Sequence, residues 1–359
     1  MHGDRQGQWT ESDTRAFATL REQAVALLAE HLRASLTPVW KAFGADPEEA
    51  ARADAEHHID ALQTALISGK AQSWLDYLLW LQQVLVSRGA DASLLAQGLD
   101  QLQSLYAQQL PQPTLNPVNA LLSDSMQVLH EEREAATEYG GTGPDAWAEC
   151  IAFQQALLDG NHARSAALFE GALTPGRSQI AAAVHVIQPA LYDIGRQWQR
   201  NTVSVTQERL ATTIVEAVLA QTAGLGPAAA KNGRRIVLAR APGNHHALGL
   251  RIVADAFEMA GWETRLLYKP ACAEALIPLL RELQPELLGI SASLAPHLLT
   301  TRELLRQLRE ALGESMRPAI LGGLAVNQYP EIARTTGGEV IATDADQLGP
   351  ALADRGLAA

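Results

Sequence analysis

The residues of this chain best placed to do chemistry lie in the segment APGNHHALG, residues 241–249. An apolar run, RIVLA, precedes it, and a helical pattern follows. His246 stands three residues before Gly249, where that helix begins. An imidazole leaving a strand end in its neutral form offers a lone pair to a bound metal. Further on, one apolar run ends in ISAS, with Ser291 and Ser293, and another ends in Gly322–Gly323, where missing side chains let a ligand approach the backbone. Each element alone is common, and a lone His-x-x-Gly is mostly structural. The three in order are far more specific.

These residues need a scaffold that gathers strand ends. From Arg234 the pattern supplies one: RIVLA, ETRLLY, ELLGIS, PAILGG and EVIAT alternate with helical segments. Five strands alternating with helices predict a flavodoxin-like five-stranded parallel sheet over 234–359, an α/β domain that binds ligands at the carboxyl ends of its strands. Ahead of it, 145–225 holds four helical segments with short connections, which predict an antiparallel four-helix bundle with Pro189 as a kink. Residues 1–117 predict an all-helical N-terminal module, with Asp46 capping a helix that starts at Pro47, and Gly69 and Gly89 closing helices. The fold class is thus α + α/β. The breaks fall at PQPTLNP (111–117), whose three prolines should stop a helix, and at AGLGPAAAKNG (223–233). Residues 118–144 read as a connecting helix and a GGTGP linker.

Composition narrows the function. The net charge of −12 argues against nucleic acid as a partner, because a duplex contact needs several Lys or Arg on one face. No uncharged apolar run of eighteen residues exists to cross a membrane, and the N-terminal MHGDRQGQWTESD has no secretory core. The two cysteines, Cys150 and Cys272, have no metal-type spacing and suit a reducing cytoplasm.

The order His-x-x-Gly, Ser and Gly-Gly, spaced as 246–249, 291 and 322–323, resembles the cobalamin-binding domain of methionine synthases, corrinoid proteins and cobalamin photoreceptors. The resemblance implies that the benzimidazole tail leaves cobalt and is buried in the α/β domain, and that His246 takes its place as the metal ligand. Asn244, Gly249, Ser291, Ser293, Gly322 and Gly323 would then line the cofactor site. Asn244 departs from the Asp or Glu usual two residues before the ligand histidine, and an amide raises imidazole basicity less than a carboxylate does. The segment IGRQWQRNTVSVTQERLAT (194–212) is similar to the cap helices of the same family, which implies that Trp198 and Val205 lie over the upper corrin face and that Glu208 meets an upper ligand. Arg209 stands where the photoreceptors of the gene-regulating type carry a histidine, and arginine offers cobalt no lone pair.

The N-terminal segment AEHHIDALQTALISGKAQSWLDYLLWLQQVLVSRG resembles the helical sensor module that precedes stand-alone cobalamin domains, including the photocobilins, which add a bilin. Here His57, His58, Trp74, Tyr77 and Trp80 would line a flat pocket for biliverdin, held non-covalently because no cysteine precedes Cys150; the alternative is ordinary core packing. The expectation is therefore a sensor, light-responsive and not an enzyme, with adenosylcobalamin as small-molecule cofactor and a homo-oligomer or a downstream signalling protein as partner. A corrinoid methyl carrier of a methyltransferase system is the alternative, and an interaction module that has lost its cofactor is a third.

Overall fold

The computed structural model describes residues 9–42, 45–131, 144–224 and 229–357. The expected GGTGP linker, all but Pro144, the end of the helix expected to run to 138, and 225–228 of the second linker lie outside them. The chain divides into two compact units, the first built from the helices before residue 132 and the second from the bundle and the sheet.

The described residues of the first unit form the helices α1 (Glu11–Thr19), α2 (Arg21–Ala42), α3 (Pro47–Ser68), α4 (Gln72–Val86), α5 (Leu94–Gln109) and α6 (Gln112–His130). Local chemistry sets the ends. Thr10 and Asp13 form a reciprocal capping box before α1. The Asp46 carboxylate accepts the N–H groups of Glu48 and Glu49 ahead of α3, and Gly69 closes that helix at φ 66°. Gly89 turns the chain after α4 at φ 85°. The proline-rich segment behaves differently from the expectation: α6 starts at Gln112 and contains Pro113 and Pro117. Pro113 falls in the first turn, where a helix has no use for the missing N–H, so it helps to start α6 rather than to end it. Trp74, Tyr106 and Phe17 are the largest fully buried side chains of the unit, and Trp74 Nε1 donates to Ser125 Oγ at 2.8 Å.

In the second unit the bundle comprises α7 (Glu149–Leu158), α8 (His162–Ala172), α9 (Gln179–Ala182), a π-turn over Ala183–Ile187, α10 (Gln188–Gln199) and α11 (Val205–Thr222). The π-turn lies just ahead of Pro189, the residue expected to kink the helix. Proline has no N–H to offer the carbonyl four residues back, and Trp147 N–H takes that carbonyl, His185 O, at 2.9 Å instead.

Beyond the bundle run β1 (Arg235–Arg240), α12 (Leu248–Met259), β2 (Glu263–Pro270), α13 (Ala273–Leu283), β3 (Leu287–Ser291), α14 (Ala295–Leu312), β4 (Ala319–Gly322), α15 (Leu324–Gln328), α16 (Pro330–Ala333) and α17 (Leu348–Ala353). The sheet is parallel, in the order β2-β1-β3-β4. Every residue of β3 is buried, and every residue of β1 but the first, as a central strand with both faces covered requires. Ile236 and Leu238 share one core with Phe257, Trp262 and the bundle residues Ile187, Ile194 and Val215. Val237, Ala239 and Ile290 face the opposite core, formed with α13 to α16.

The sheet has four strands, not five. The segment EVIAT contributes one bridge, Ile320 to Glu339, with Glu339 N–H on Ala319 O and Leu321 N–H on Glu339 O. The chain then leaves the ladder: Val340 is exposed and Ile341 packs against the core shared with the bundle. Ile341 is half-buried against that core, and the segment forms no further bridge among the described residues.

Candidate functional site

The carboxyl ends of β1, β3 and β4, adjacent in the sheet, bring their loops together. The loop after β1 is fastened at its base by Ala241 N–H on Ser291 O at 2.9 Å. Asn244 is fully buried and organises the rest. Its Nδ2 donates to Ser291 O at 2.8 Å, and its Oδ1 accepts the backbone N–H of His246 at 3.0 Å and lies 3.1 Å from His246 Nδ1. With Nδ2 committed as donor, Oδ1 can only accept, so the imidazole carries its proton on Nδ1 and its lone pair on Nε2. That is the tautomer a metal ligand needs. The departure at position 244 therefore keeps the hydrogen bond of a carboxylate and gives up its charge. His246 is exposed, and Thr300 Oγ1 ties the loop to α14 through Pro242 O at 3.0 Å.

Ser291 ends β3 and is buried; Ser293 is half-buried. The loop between them is set by a residue that the sequence reading passes over. His297 is buried at the start of α14, and its Nδ1 accepts the N–H groups of Ser293 at 3.3 Å and Leu294 at 3.1 Å. Its position three residues after the end of a strand loop, beside Pro296, was the available signal. Gly322 and Gly323 close the site from β4. Ala292 N–H donates to Gly322 O at 2.9 Å, and Ala325 N–H to Ala292 O at 3.1 Å. Gly323 has φ 99°, and a Cβ there would press into the Ala292 carbonyl. A Cβ on Gly249 or Gly322 would meet nothing within 4 Å, so these positions border open space.

The structure thus gathers Asn244, His246, Ser291, Ser293, Gly322 and Gly323 around one end of the sheet. Trp198 stands on α10, and Val205 and Glu208 on α11, all half-buried. The start of α11 is fixed by a capping box between Ser204 and Gln207. One turn before Trp198, Asp193 accepts from Gln154, Arg196 and Gln197 at 2.5, 3.0 and 2.7 Å. Burial pushes the Asp193 carboxyl up, but these donors outweigh it and hold it below the usual carboxylate range. Arg209 is exposed. Among the described residues no group of three or more His, Cys, Asp or Glu could hold a metal by itself, and no helix is long and apolar enough to cross a membrane.

In the first unit the five aromatic and imidazole residues lie together, with Trp74, Tyr77 and His58 buried. Tyr77 lies at their centre, with ring centroids 6.0 Å from His57, 5.4 Å from His58, 5.8 Å from Trp74 and 6.0 Å from Trp80. The Tyr77 hydroxyl is 3.0 Å from His58 Nδ1, which also lies 2.6 Å from Asp54 O.

Two stretches match models of known domains. Residues 234–353 match a B12 binding domain, and residues 152–222 match a second model of the same description. The chain belongs to the B12-binding family. The β1, β3 and β4 loops described above all lie inside the B12-binding stretch 234–353, and Trp198, Val205 and Glu208 lie inside 152–222. Among individual proteins, the HTH-type transcriptional repressor CarH of Myxococcus xanthus is 29% identical over 147 residues, 41% of this chain and 48% of that one. The chain thus spans about half the length of that relative. An uncharacterized 20.5 kDa protein from the bchF-crtJ intergenic region of Rhodobacter capsulatus is 26% identical over 165 residues, 45% of this chain and 85% of that one. Among solved structures, the monomethylamine corrinoid protein of Methanosarcina barkeri is 18% identical, with 57% of this chain and 95% of that one covered at a TM-score of 0.48. The methanol:cobalamin methyltransferase complex MtaBC of the same organism is 19% identical, with 64% and 87% covered at a TM-score of 0.31.

Proposed function

We propose that this cobalamin-binding protein is a light-responsive sensor that uses adenosylcobalamin. The observation that carries the reading is the Asn244–His246 pair: a buried amide fixes the tautomer of an exposed imidazole at the end of β1, beside glycines that leave room for a ligand. The residues present fit a cofactor that carries its own metal and would take a single imidazole from the protein, since no group of three or more metal-ligating side chains gathers among the described residues. His246 would be that base. Ser291, Ser293, Gly249, Gly322 and Gly323 would line the channel for the displaced tail, and Trp198, Val205 and Glu208 would cover the upper face. When bound, adenosylcobalamin would supply a weak, photolabile cobalt–carbon bond; the protein would supply the His246 imidazole, the orientation and the cover. The name of the relative from Myxococcus xanthus, a transcriptional repressor, supports a regulatory role over an enzymatic one.

Arg209 limits how such a sensor works. A guanidinium offers a metal no lone pair, so this position supplies no second protein ligand. The response would run through relaxation of the bundle against the α/β domain, whose cores are continuous. The output would pass to a homo-oligomeric contact or a signalling partner. We assign a cytoplasmic location on the two cysteines, both unpaired. For the first unit we propose that the group around Tyr77 accepts biliverdin without a thioether bond, since no cysteine precedes Cys150.

The test is the visible spectrum of protein reconstituted with adenosylcobalamin, in the dark and after illumination, for wild type and His246→Ala. A histidine-ligated spectrum that His246→Ala abolishes and light alters is expected. Matching spectra for the two proteins remove His246 as ligand. A light-stable methyl form that donates to a thiol replaces the sensor with a corrinoid methyl carrier. Protein produced with biliverdin should gain a bilin absorption band that is lost in Tyr77→Ala.

A further inference from the structure

Arg240 is the last residue of β1, and the alternation of the strand sets it on the face that carries Ile236 and Leu238. It is only 8% exposed. A guanidinium keeps its charge throughout the working range of a protein, and buried charges ordinarily sit against an opposite one. Among the described residues Arg240 forms no ion pair. It donates instead to two backbone carbonyls, from one terminal nitrogen to His245 O at 2.9 Å and from the other to Tyr268 O.

Both partners have a special position. The register of β1 on β2 jumps from Leu238–Leu266 to Arg240–Pro270, so β2 bulges over Leu267–Lys269 and turns Tyr268 out to solvent, 84% exposed. The bulge turns the Tyr268 carbonyl toward the guanidinium. The other carbonyl belongs to the peptide unit that joins His245 to His246. The N–H of that same unit is the one that Asn244 Oδ1 accepts at 3.0 Å. A peptide unit is planar, so holding its oxygen from one side and its N–H from the other fixes its orientation, and with it the direction in which the His246 side chain leaves the backbone.

We infer that Arg240 is a positioning residue for the His246 imidazole, clamping the ligand loop to the β2 bulge. The inference rests on the reading of His246 as the axial ligand. Its function is separable from that of Asn244: the amide sets the tautomer of the ring, and the guanidinium sets the peptide from which the ring projects.

The experiment compares full-length wild type, Arg240→Met, Arg240→Lys, Arg240→Gln and His246→Ala, each titrated with hydroxocobalamin and with adenosylcobalamin. The readouts are the visible spectrum and, after photoreduction to cobalt(II), the nitrogen splitting in the electron paramagnetic resonance signal. Arg240→Met should bind with a mixture of histidine-ligated and unligated spectra and with an apparent Kd raised about tenfold, the usual consequence of removing a group that orients a metal ligand. Arg240→Lys and Arg240→Gln reach one carbonyl rather than two and should fall between Met and wild type. If Arg240→Met does not yield soluble protein, the Lys and Gln variants carry the same comparison. A fully histidine-ligated spectrum and unchanged Kd in the variants, with only a lower Tm, overturns the inference and leaves Arg240 a purely structural residue. Identical spectra for wild type and His246→Ala fail the ligand reading itself, and this inference with it.

Discussion

His185 Nε2, in the helical bundle, lies 3.1 Å from Asp346 Oδ2, in the α/β domain. The opposite ring nitrogen, Nδ1, is 2.8 Å from Asp145 O, and the ring stacks on Trp147 at 5.1 Å between centroids. Trp147 is covered on another side by the Arg177 guanidinium, 4.0 Å from the ring centre, which pairs in turn with Glu149 at 2.8 Å. Both nitrogens of His185 therefore face oxygen atoms, one on each side of the ring. The contact joins two parts of one continuous core, so its loss should loosen them. Asp346→Ala is expected to cost about 1 kcal/mol. In a unit of this size that lowers Tm by roughly 2–4 °C, measurable by calorimetry of the full-length protein. Asp346→Asn, whose amide can donate to a neutral ring, should cost less.

Asn244 should be far less replaceable. Asn244→Ala removes a fully buried amide, takes one of two donors from Ser291 O and takes the shared acceptor from the N–H and Nδ1 of His246. We expect a loss on the order of 2 kcal/mol by denaturant unfolding. Asn244→Asp keeps the acceptor but loses the donor to Ser291 O. It should recover the histidine-ligated spectrum that Asn244→Ala loses, while remaining less stable than wild type.

Gly323 is a backbone requirement. With φ 99° and the Ala292 carbonyl in the place of any Cβ, Gly323→Ala must move the β4 loop. The expected cost is about 2 kcal/mol or more. Gly249→Ala, where a Cβ meets nothing, should leave stability nearly unchanged, so any loss of cobalamin affinity in that variant reports on the cofactor. Titration calorimetry beside thermal unfolding separates the two effects.

The first unit carries two opposed titrations. Burial pushes the Asp54 carboxyl up to about 6 against a hydrogen bond from Trp40 that lowers it. A carboxyl raised in the folded state favours folding while protonated, so its cost enters as pH rises from 3.8 and is complete above about 6. Burial pulls His58 down to about 4, while its bond to the Asp54 carbonyl raises it and the neighbouring His57 lowers it further. A histidine buried neutral favours folding when deprotonated, so its cost enters as pH falls from 6.5 towards about 4. The two slopes oppose one another over the shared window. Asp54→Asn keeps an acceptor for Trp40 and removes one slope. It should stabilise the protein on the order of 2 kcal/mol above pH 6 and by nothing near pH 4. A flat difference across that pH range in urea unfolding would count against a buried, titrating Asp54.

What the sequence by itself determined is whatever is written in neighbouring residues. The Asp46–Pro47 start and Gly69 end of α3 are local hydrogen bonds and one left-handed backbone angle, legible without any tertiary contact. The alternation of apolar runs and amphipathic helices after Arg234 demanded a parallel sheet with covered faces, and the order of His246, Ser291 and Gly322–Gly323 along it placed three loops at one end. What only the tertiary structure decided are contacts between residues far apart in the chain. EVIAT reads as a strand, yet Ile341 packs against a distant core and only Glu339 pairs. The proline at 117 reads as a breaker, yet α6 runs through it with Thr114, Leu115 and Val118 buried on either side. Neither Arg240 nor the His185–Asp346 contact had a signal in spacing, and His297 had only its place beside Pro296 after a strand loop. An arginine at a strand end and a histidine in a helix are solvent residues until long-range folding closes a carbonyl, a bulge or a second domain against them, and pattern along the chain carries no record of that closure.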